Sequence, residues 1–137
     1  MNNVFDLVAD FYGQDEEWNS VLRQSYVENF LRSKSWQGAE DKELTEYWDY
    51  ITLLCIYLGN SENFLGDMSK DDFIDCIAWC GRNVADFALT DKKVAKFLDV
   101  MDELYTHLHN KKIIMNCAAP SEAKAKLLPE GKLTLMD

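Results

Sequence analysis

The sequence is poor in residues that interrupt helices. It has two prolines and six glycines in 137 residues, and both prolines, Pro120 and Pro129, fall in the last fifth of the chain. Histidine is nearly absent. His107 and His109 are the whole complement, and on a helix two residues at that spacing point roughly 200° apart, so they cannot share a ligand. Long apolar runs are missing too. The longest is Ile51 to Leu58, interrupted by Thr52, far short of the ~20 residues that span a bilayer. The start, Met1-Asn2-Asn3-Val4-Phe5-Asp6, has neither the basic residues nor the hydrophobic stretch of a secretory signal. The expectation is a cytoplasmic protein with no membrane segment.

The motifs that carry chemistry are also lacking. There is no phosphate-cradling glycine loop, no nucleophile motif around a Ser or Cys, no Cys-x-x-Cys knuckle and no Glu-x-x-His pair of the kind that builds di-metal bundles. The paired carboxylates Asp71-Asp72 and Asp15-Glu16-Glu17 stand at helix starts, where they complement the helix dipole. The expectation is a protein that is not an enzyme, with no cofactor and no small-molecule substrate.

Positive charge is scarce. Fourteen Lys and Arg face twenty-four Asp and Glu, a net charge of −10. The imbalance is concentrated early: residues 1–66 carry four basic and twelve acidic side chains, residues 67–112 seven and nine, and residues 113–137 three of each. An acidic half repels nucleic acid and anionic membrane alike.

What is present is amphipathic helix. Val4, Leu7, Val8 and Phe11 recur at i, i+3, i+4, i+7, with Gly13 as the stop. Trp18, Val21, Leu22, Phe30 and Leu31 form one broad face of a second helix, after which Ser35-Trp36-Gln37-Gly38 breaks the pattern and leaves Trp36 in a loop. Leu44, Tyr47, Trp48, Ile51, Leu54, Cys55 and Leu58 stripe a third, closed by Gly59-Asn60. In the loop that follows, Phe64 and Leu65 are expected to pin the chain to the core. Ser69 with Asp72 is a capping box, opening a helix with Phe73, Cys76, Ile77, Cys80, Val84 and Phe87. Gly81 interrupts that helix at a cost of about 1 kcal/mol relative to Ala, and a close helix crossing would account for it. Thr90 caps the cleanest stripe: Val94, Phe97, Leu98, Met101, Leu104, Tyr105 and Leu108. Ile113-Ile114-Met115 and Lys132 to Met136 are β-prone and could pair as a ribbon, with a brief helix over Pro120 to Leu128 between them.

The fold expected is therefore all-α, a bundle of about four long helices plus a short N-terminal one. Residues 1–112 form a single helical domain, and 113–137 an extension packed on it or loosely ordered. Free buried thiols are the reading for Cys55, Cys76 and Cys80, because unpaired cysteine behaves as a small hydrophobe. The alternative, a thiol or metal protein, rests on Cys76 and Cys80, which one helix presents on the same side. Trp36 and Trp79 lie off the core stripes, and large aromatics there either cover the core edge or form an interaction or self-association surface.

Residues from about 44 to 128 resemble the helical SAM-like core-binding domain of tyrosine recombinases and phage integrases. The matching stretches are Met68-Ser-Lys-Asp-Asp-Phe-Ile-Asp-Cys-Ile-Ala-Trp79, Thr90-Asp-Lys-Lys-Val-Ala-Lys-Phe-Leu98, and Met101-Asp-Glu-Leu-Tyr-Thr-His-Leu-His-Asn-Lys-Lys-Ile-Ile114. A similar arrangement occurs in helical domains of uncharacterised bacterial proteins, some with a cysteine-rich zinc-binding tail that this sequence lacks. The resemblance implies a nucleic-acid-associated accessory domain in which Lys92, Lys93 and Lys96 contact phosphates. The recombinase's catalytic arginines, histidine and tyrosine are not matched, and the matching region is net negative. The partner expected from the whole sequence is another protein or a second copy, rather than nucleic acid.

Overall fold

The computed structural model describes residues 3–134, and among them every regular element is a helix. The chain divides into two compact units, with the boundary between Asn60 and Ser61.

The first unit holds α1 (Val4–Gln14), α2 (Trp18–Val21), α3 (Gln24–Trp36) and α4 (Asp41–Gly59). Asn3 and Asp6 form a capping box that starts α1, which runs through Gly13 and ends one residue later. Val4, Val8 and Tyr12 are its buried face. α3 and α1 both pack on α4, burying Val27, Phe30 and Leu31 against Leu44, Trp48 and Ile51. Phe11 stacks on Trp18 at 4.7 Å and meets Trp48 edge-on at 5.3 Å. An ideal Cβ built on Gly59 would stand 2.8 Å from the Trp18 ring. That close approach is what the glycine at the end of α4 permits.

The helix expected over Trp18 to Leu31 is two helices. Leu22 and Arg23 are extended, with φ/ψ of −156°/116° and −64°/136°. Two hydrogen bonds explain the break. The Tyr12 hydroxyl donates to the Leu22 carbonyl at 2.6 Å, and the Gln24 N–H donates to Asn19 Oδ1 at 2.9 Å. Both take backbone groups that a continuous helix would use for itself. Trp36, expected in a loop, is the last residue of α3.

The second unit opens with a 3-10 turn at Leu65–Asp67, followed by α5 (Lys70–Asn83), α6 (Asp91–Asn110) and α7 (Ala119–Leu127). Ser69 and Asp72 form the expected capping box, and Thr90 Oγ1 accepts from the Lys93 N–H. The α6 stripe is buried along its whole length. α5 and α6 both pack against α7, and more closely than against each other. α7 fits because its buried positions are Ala119, Pro120, Ala123 and Leu127: the alanines at i and i+4 let neighbouring backbones approach. Its lysines reach outward, Lys124 to Asp99 at 2.6 Å and Lys126 to Asp71 at 3.3 Å. These are exposed pairs and stabilise little.

Four further expectations change. α5 ends at Asn83, so Val84 and Phe87 follow the helix instead of extending it. Gly81 is not a helix crossing. The returning chain places Leu89 there, with three side-chain carbons 2.7–2.9 Å from an ideal Cβ. Phe64 is not pinned to the core but 70% exposed. Its neighbours make the contacts, with the Leu65 carbonyl accepting from Tyr105 at 2.7 Å and Gly66 lying against Ile114. Finally, Ile113–Met115 is turn and irregular backbone, not strand. Lys112 ahead of it has φ +63°, which bends the chain out of any extended line. The other proposed ribbon strand, Lys132 to Met136, runs beyond the described residues.

Two stability outcomes follow from this packing. Tyr12→Phe leaves the buried Leu22 carbonyl without its donor and costs about 1–3 kcal/mol, measured by chemical denaturation. Gly81→Ala gains little by itself because the methyl displaces Leu89. In a Leu89→Ala background the same change stabilises by about 1 kcal/mol, the helix-propensity difference, so a double-mutant cycle shows coupling.

Candidate functional site

Trp36 is the most conspicuous side chain outside the two cores, 83% exposed at the last position of α3. The helix geometry puts it there. At 100° per residue it stands roughly 240° from Phe30, on the face away from α4. The position is also fixed at both ends. Beyond Trp36 the Ala39 N–H donates to Lys34 O and the Gly38 N–H to Ser35 O, both at 3.0 Å. This is a Schellman cap, and Gly38 supplies its positive φ of +104°. Glu40 and Glu43 then cap the start of α4 reciprocally. Trp36 thus occupies a corner between two capped helix ends.

Two cations of α3, Lys34 and Arg32, lie over aromatic rings. The Lys34 ammonium lies 5.5 Å from the Phe30 ring and 5.9 Å from that of Tyr47, and the Arg32 guanidinium 5.4 Å from Phe5. Phe30 meets the same Tyr47 ring edge-on at 5.6 Å, so the end of α3 packs beside Tyr47 of α4. Residues 36–50 carry five carboxylates and one lysine, and Glu40, Asp41, Glu43, Glu46 and Asp49 are all exposed. Crowding shows at Asp49, whose carboxyl is raised by partial desolvation and then by the charge of Glu46.

Trp79, the other aromatic singled out from the sequence, is half-buried on α5 in the second unit, and its carbonyl accepts from the Asn83 side chain at 2.9 Å. Trp36 and Trp79 thus belong to different units. Lys92, Lys93 and Lys96 fall within an arc of roughly 100° at the start of α6. Lys93 donates through Nζ to the Asp86 carbonyl at 3.1 Å, serving the α5–α6 connection, where Asp86 has φ +71°. Lys92 is exposed and Lys96 half-buried. Lys111 and Lys112 follow at the other end of α6, roughly 28 Å along its axis.

Cys55, Cys76 and Cys80 are not in disulfides and have no exposed surface, and Cys117, likewise outside any disulfide, is half-buried. Cys76 and Cys80 share a hydrogen bond, and burial, with the neighbouring Cys80 adding to it, holds the Cys76 thiol well above the ordinary range. Burial pushes Cys55 from 9.0 up to about 12, while its hydrogen bond to Tyr12 acts weakly the other way. Such groups pack as neutral thiols. Among the described residues no three His, Cys, Asp or Glu side chains converge to hold a metal ion, and no helix is long and apolar enough to cross a membrane. An open polar recess at the α2–α3 junction is lined by Asn19, Ser20, Arg23, Gln24, Ser25 and Glu28.

Two exposed apolar side chains escaped the sequence reading, Phe64 and Met115, at 70% and 95% exposure. They flank the contact between Gly66 and Ile114. No periodicity marks either, since both lie in irregular chain.

No family model matches the chain, and no curated protein or solved structure is significantly similar to it.

The buried thiols set an alkaline limit to stability. In the unfolded chain Cys55 ionises near 9.0, and in the fold only near 12. The unfolded state therefore loses protons first, and this contribution, complete below pH 9, declines as pH rises towards 12. Urea midpoints should fall across that window, and fall less in Cys55→Val. With a thiol reagent at neutral pH, Cys117 reacts ahead of Cys55, Cys76 and Cys80.

Proposed function

We propose that this chain is a non-enzymatic helical interaction module, binding another protein or a second copy of itself through the α3–α4 corner. The observation that carries the proposal is Trp36. Both cores are closed without it. Burying a side chain of that size is worth roughly 4 kcal/mol in area terms, and this energy is left unused on a rigid, capped corner. Tryptophans so placed are the residues that dominate binding energy at protein interfaces. Phe64 and Met115 add apolar area of the same character in the second unit.

Trp36→Ser is the decisive variant, because a residue so exposed can be replaced without disturbing the fold. Wild type and variant should have the same circular dichroism and the same unfolding midpoint. Sedimentation velocity over a range of concentrations, together with capture from a cell extract, should show an assembly or bound protein with wild type that Trp36→Ser loses. A wild-type protein that stays monomeric throughout, with a capture profile identical to that of the variant, would falsify the reading.

A further inference from the structure

We propose that two copies of this chain dimerise by exchanging α7, the α7 of each copy packing on α5 and α6 of the other. The exchange involves the second unit alone and is independent of Trp36. The connection between α6 and α7, residues 111–118, is where sequence and structure part.

The sequence has no stop at that place. No glycine or proline occurs between Gly81 and Pro120, and Lys111-Lys-Ile-Ile-Met115 holds no residue that breaks a helix. The structure nevertheless ends α6 at Asn110, and does so with a Schellman cap. The Ile113 N–H donates to the Leu108 carbonyl and the Lys112 N–H to that of His109, both at 2.9 Å. The residue in the left-handed position of that cap is Lys112, with φ +63°. Glycine is the usual occupant there, and a residue with a Cβ is strained. A tight turn held by a strained residue is a hinge whose opening relieves the closed chain.

α7 can leave as a body. Pro120 lies in its first turn, where a missing N–H costs nothing, and Thr134 N–H ties the following chain to the Leu127 carbonyl at 2.7 Å. Its partners on α5 and α6 are all present in a second copy. Lys124 with Asp99, Lys126 with Asp71, and the Leu133 N–H with Asp91 re-form unchanged between chains. Eight extended residues reach roughly 26 Å, well beyond the ~10 Å between packed helices.

Two observations favour a second copy as the occupant. In a two-fold exchange the two connections lie side by side. This connection carries apolar side chains that the closed chain leaves in water, Met115 at 95% exposure and Ile113 half-buried. Charge is also permissive. Residues 61–137 carry ten cations and thirteen carboxylates, only −3 of the total −10, so copies repel weakly where the exchange takes place. The closed chain keeps the advantage of a tethered α7, so the exchanged dimer forms at high concentration and after opening.

The test mixes unlabelled and isotope-labelled protein, unfolds the mixture in urea and refolds it at high concentration. Dimer and monomer are separated by size and treated with a carbodiimide, which joins Lys124 to Asp99 across their 2.6 Å contact. Mass spectrometry should find mixed-label links in the dimer and same-label links alone in the monomer. Lys112→Gly, which removes the strain from both connections of a pair, should lower the dimer-to-monomer ratio by about tenfold at a fixed concentration. Trp36→Ser should leave that ratio unchanged. No dimer after refolding, a dimer whose links are all same-label, or a ratio indifferent to Lys112→Gly overturns the proposal. A same-label dimer that Trp36→Ser abolishes overturns it too, and leaves the interaction reading standing. An exchanged dimer indifferent to Trp36→Ser supports the proposal whatever the α3–α4 corner binds.

Discussion

One hydrogen bond sets the geometry of the first unit. The Tyr12 hydroxyl holds the Leu22 carbonyl at the point where the chain leaves helix for two residues before α3 begins. The direction of α3 follows from that break. So does its register on α4, where Phe30 meets Tyr47 at 5.6 Å and Lys34 closes over both rings. Trp36 stands two residues beyond Lys34, facing solvent because Phe30 and Leu31 face in. Tyr12 can play this part because its ring is buried among Phe11 and Trp48 while its one polar atom has a partner. Burial and the neighbouring Cys55 thiol raise its pKa well above the ordinary tyrosine range.

The second unit is organised around small residues. α5 and α6 carry the large apolar stripes, yet they meet mainly through α7, whose inward positions are two alanines, a proline and a leucine. Large side chains from two directions fit where Ala119 and Ala123 contribute only methyl groups. The Leu133 N–H to Asp91 bond at 2.8 Å and the Thr134 N–H to Leu127 bond at 2.7 Å then fold the following chain back on the starts and ends of these helices. Substituents, more than polar contacts, decide this arrangement.

These two constraints also mark how far the sequence could be read. The stripes of α4 and α6 were legible because every turn repeats the same apolar faces, and the caps at Ser69 and Thr90 because each motif is complete within four residues. The break at Leu22 was not, since its cause is a tyrosine ten positions earlier on another helix. α7 was seen only as a brief helix, because alanines add little to a hydrophobic pattern even when packing depends on them. Trp36 was picked out as lying off the core stripes, though not as helical: the Schellman cap that extends α3 to include it is closed by Gly38, and the sequence places that signal after the tryptophan without saying how far the helix reaches. Phe64 was misread because Leu65 and Gly66, its neighbours, carry the contact expected of it.

The bridging position of α7 has a consequence for the order in which the chain acquires its structure during synthesis. The first sixty residues form a compact unit of their own and can close while translation continues, as domains do when they emerge N-terminal end first. α5 and α6 cannot close in the same way when they emerge, because the helix they share has yet to be made. Their stripes, including the fully buried faces of Phe73, Phe97 and Leu104, stay open to solvent until Ala119–Leu127 clears the ribosome. For that interval the nascent protein is half folded and half adhesive, and a chaperone that recognises apolar helix has its window on the second unit alone.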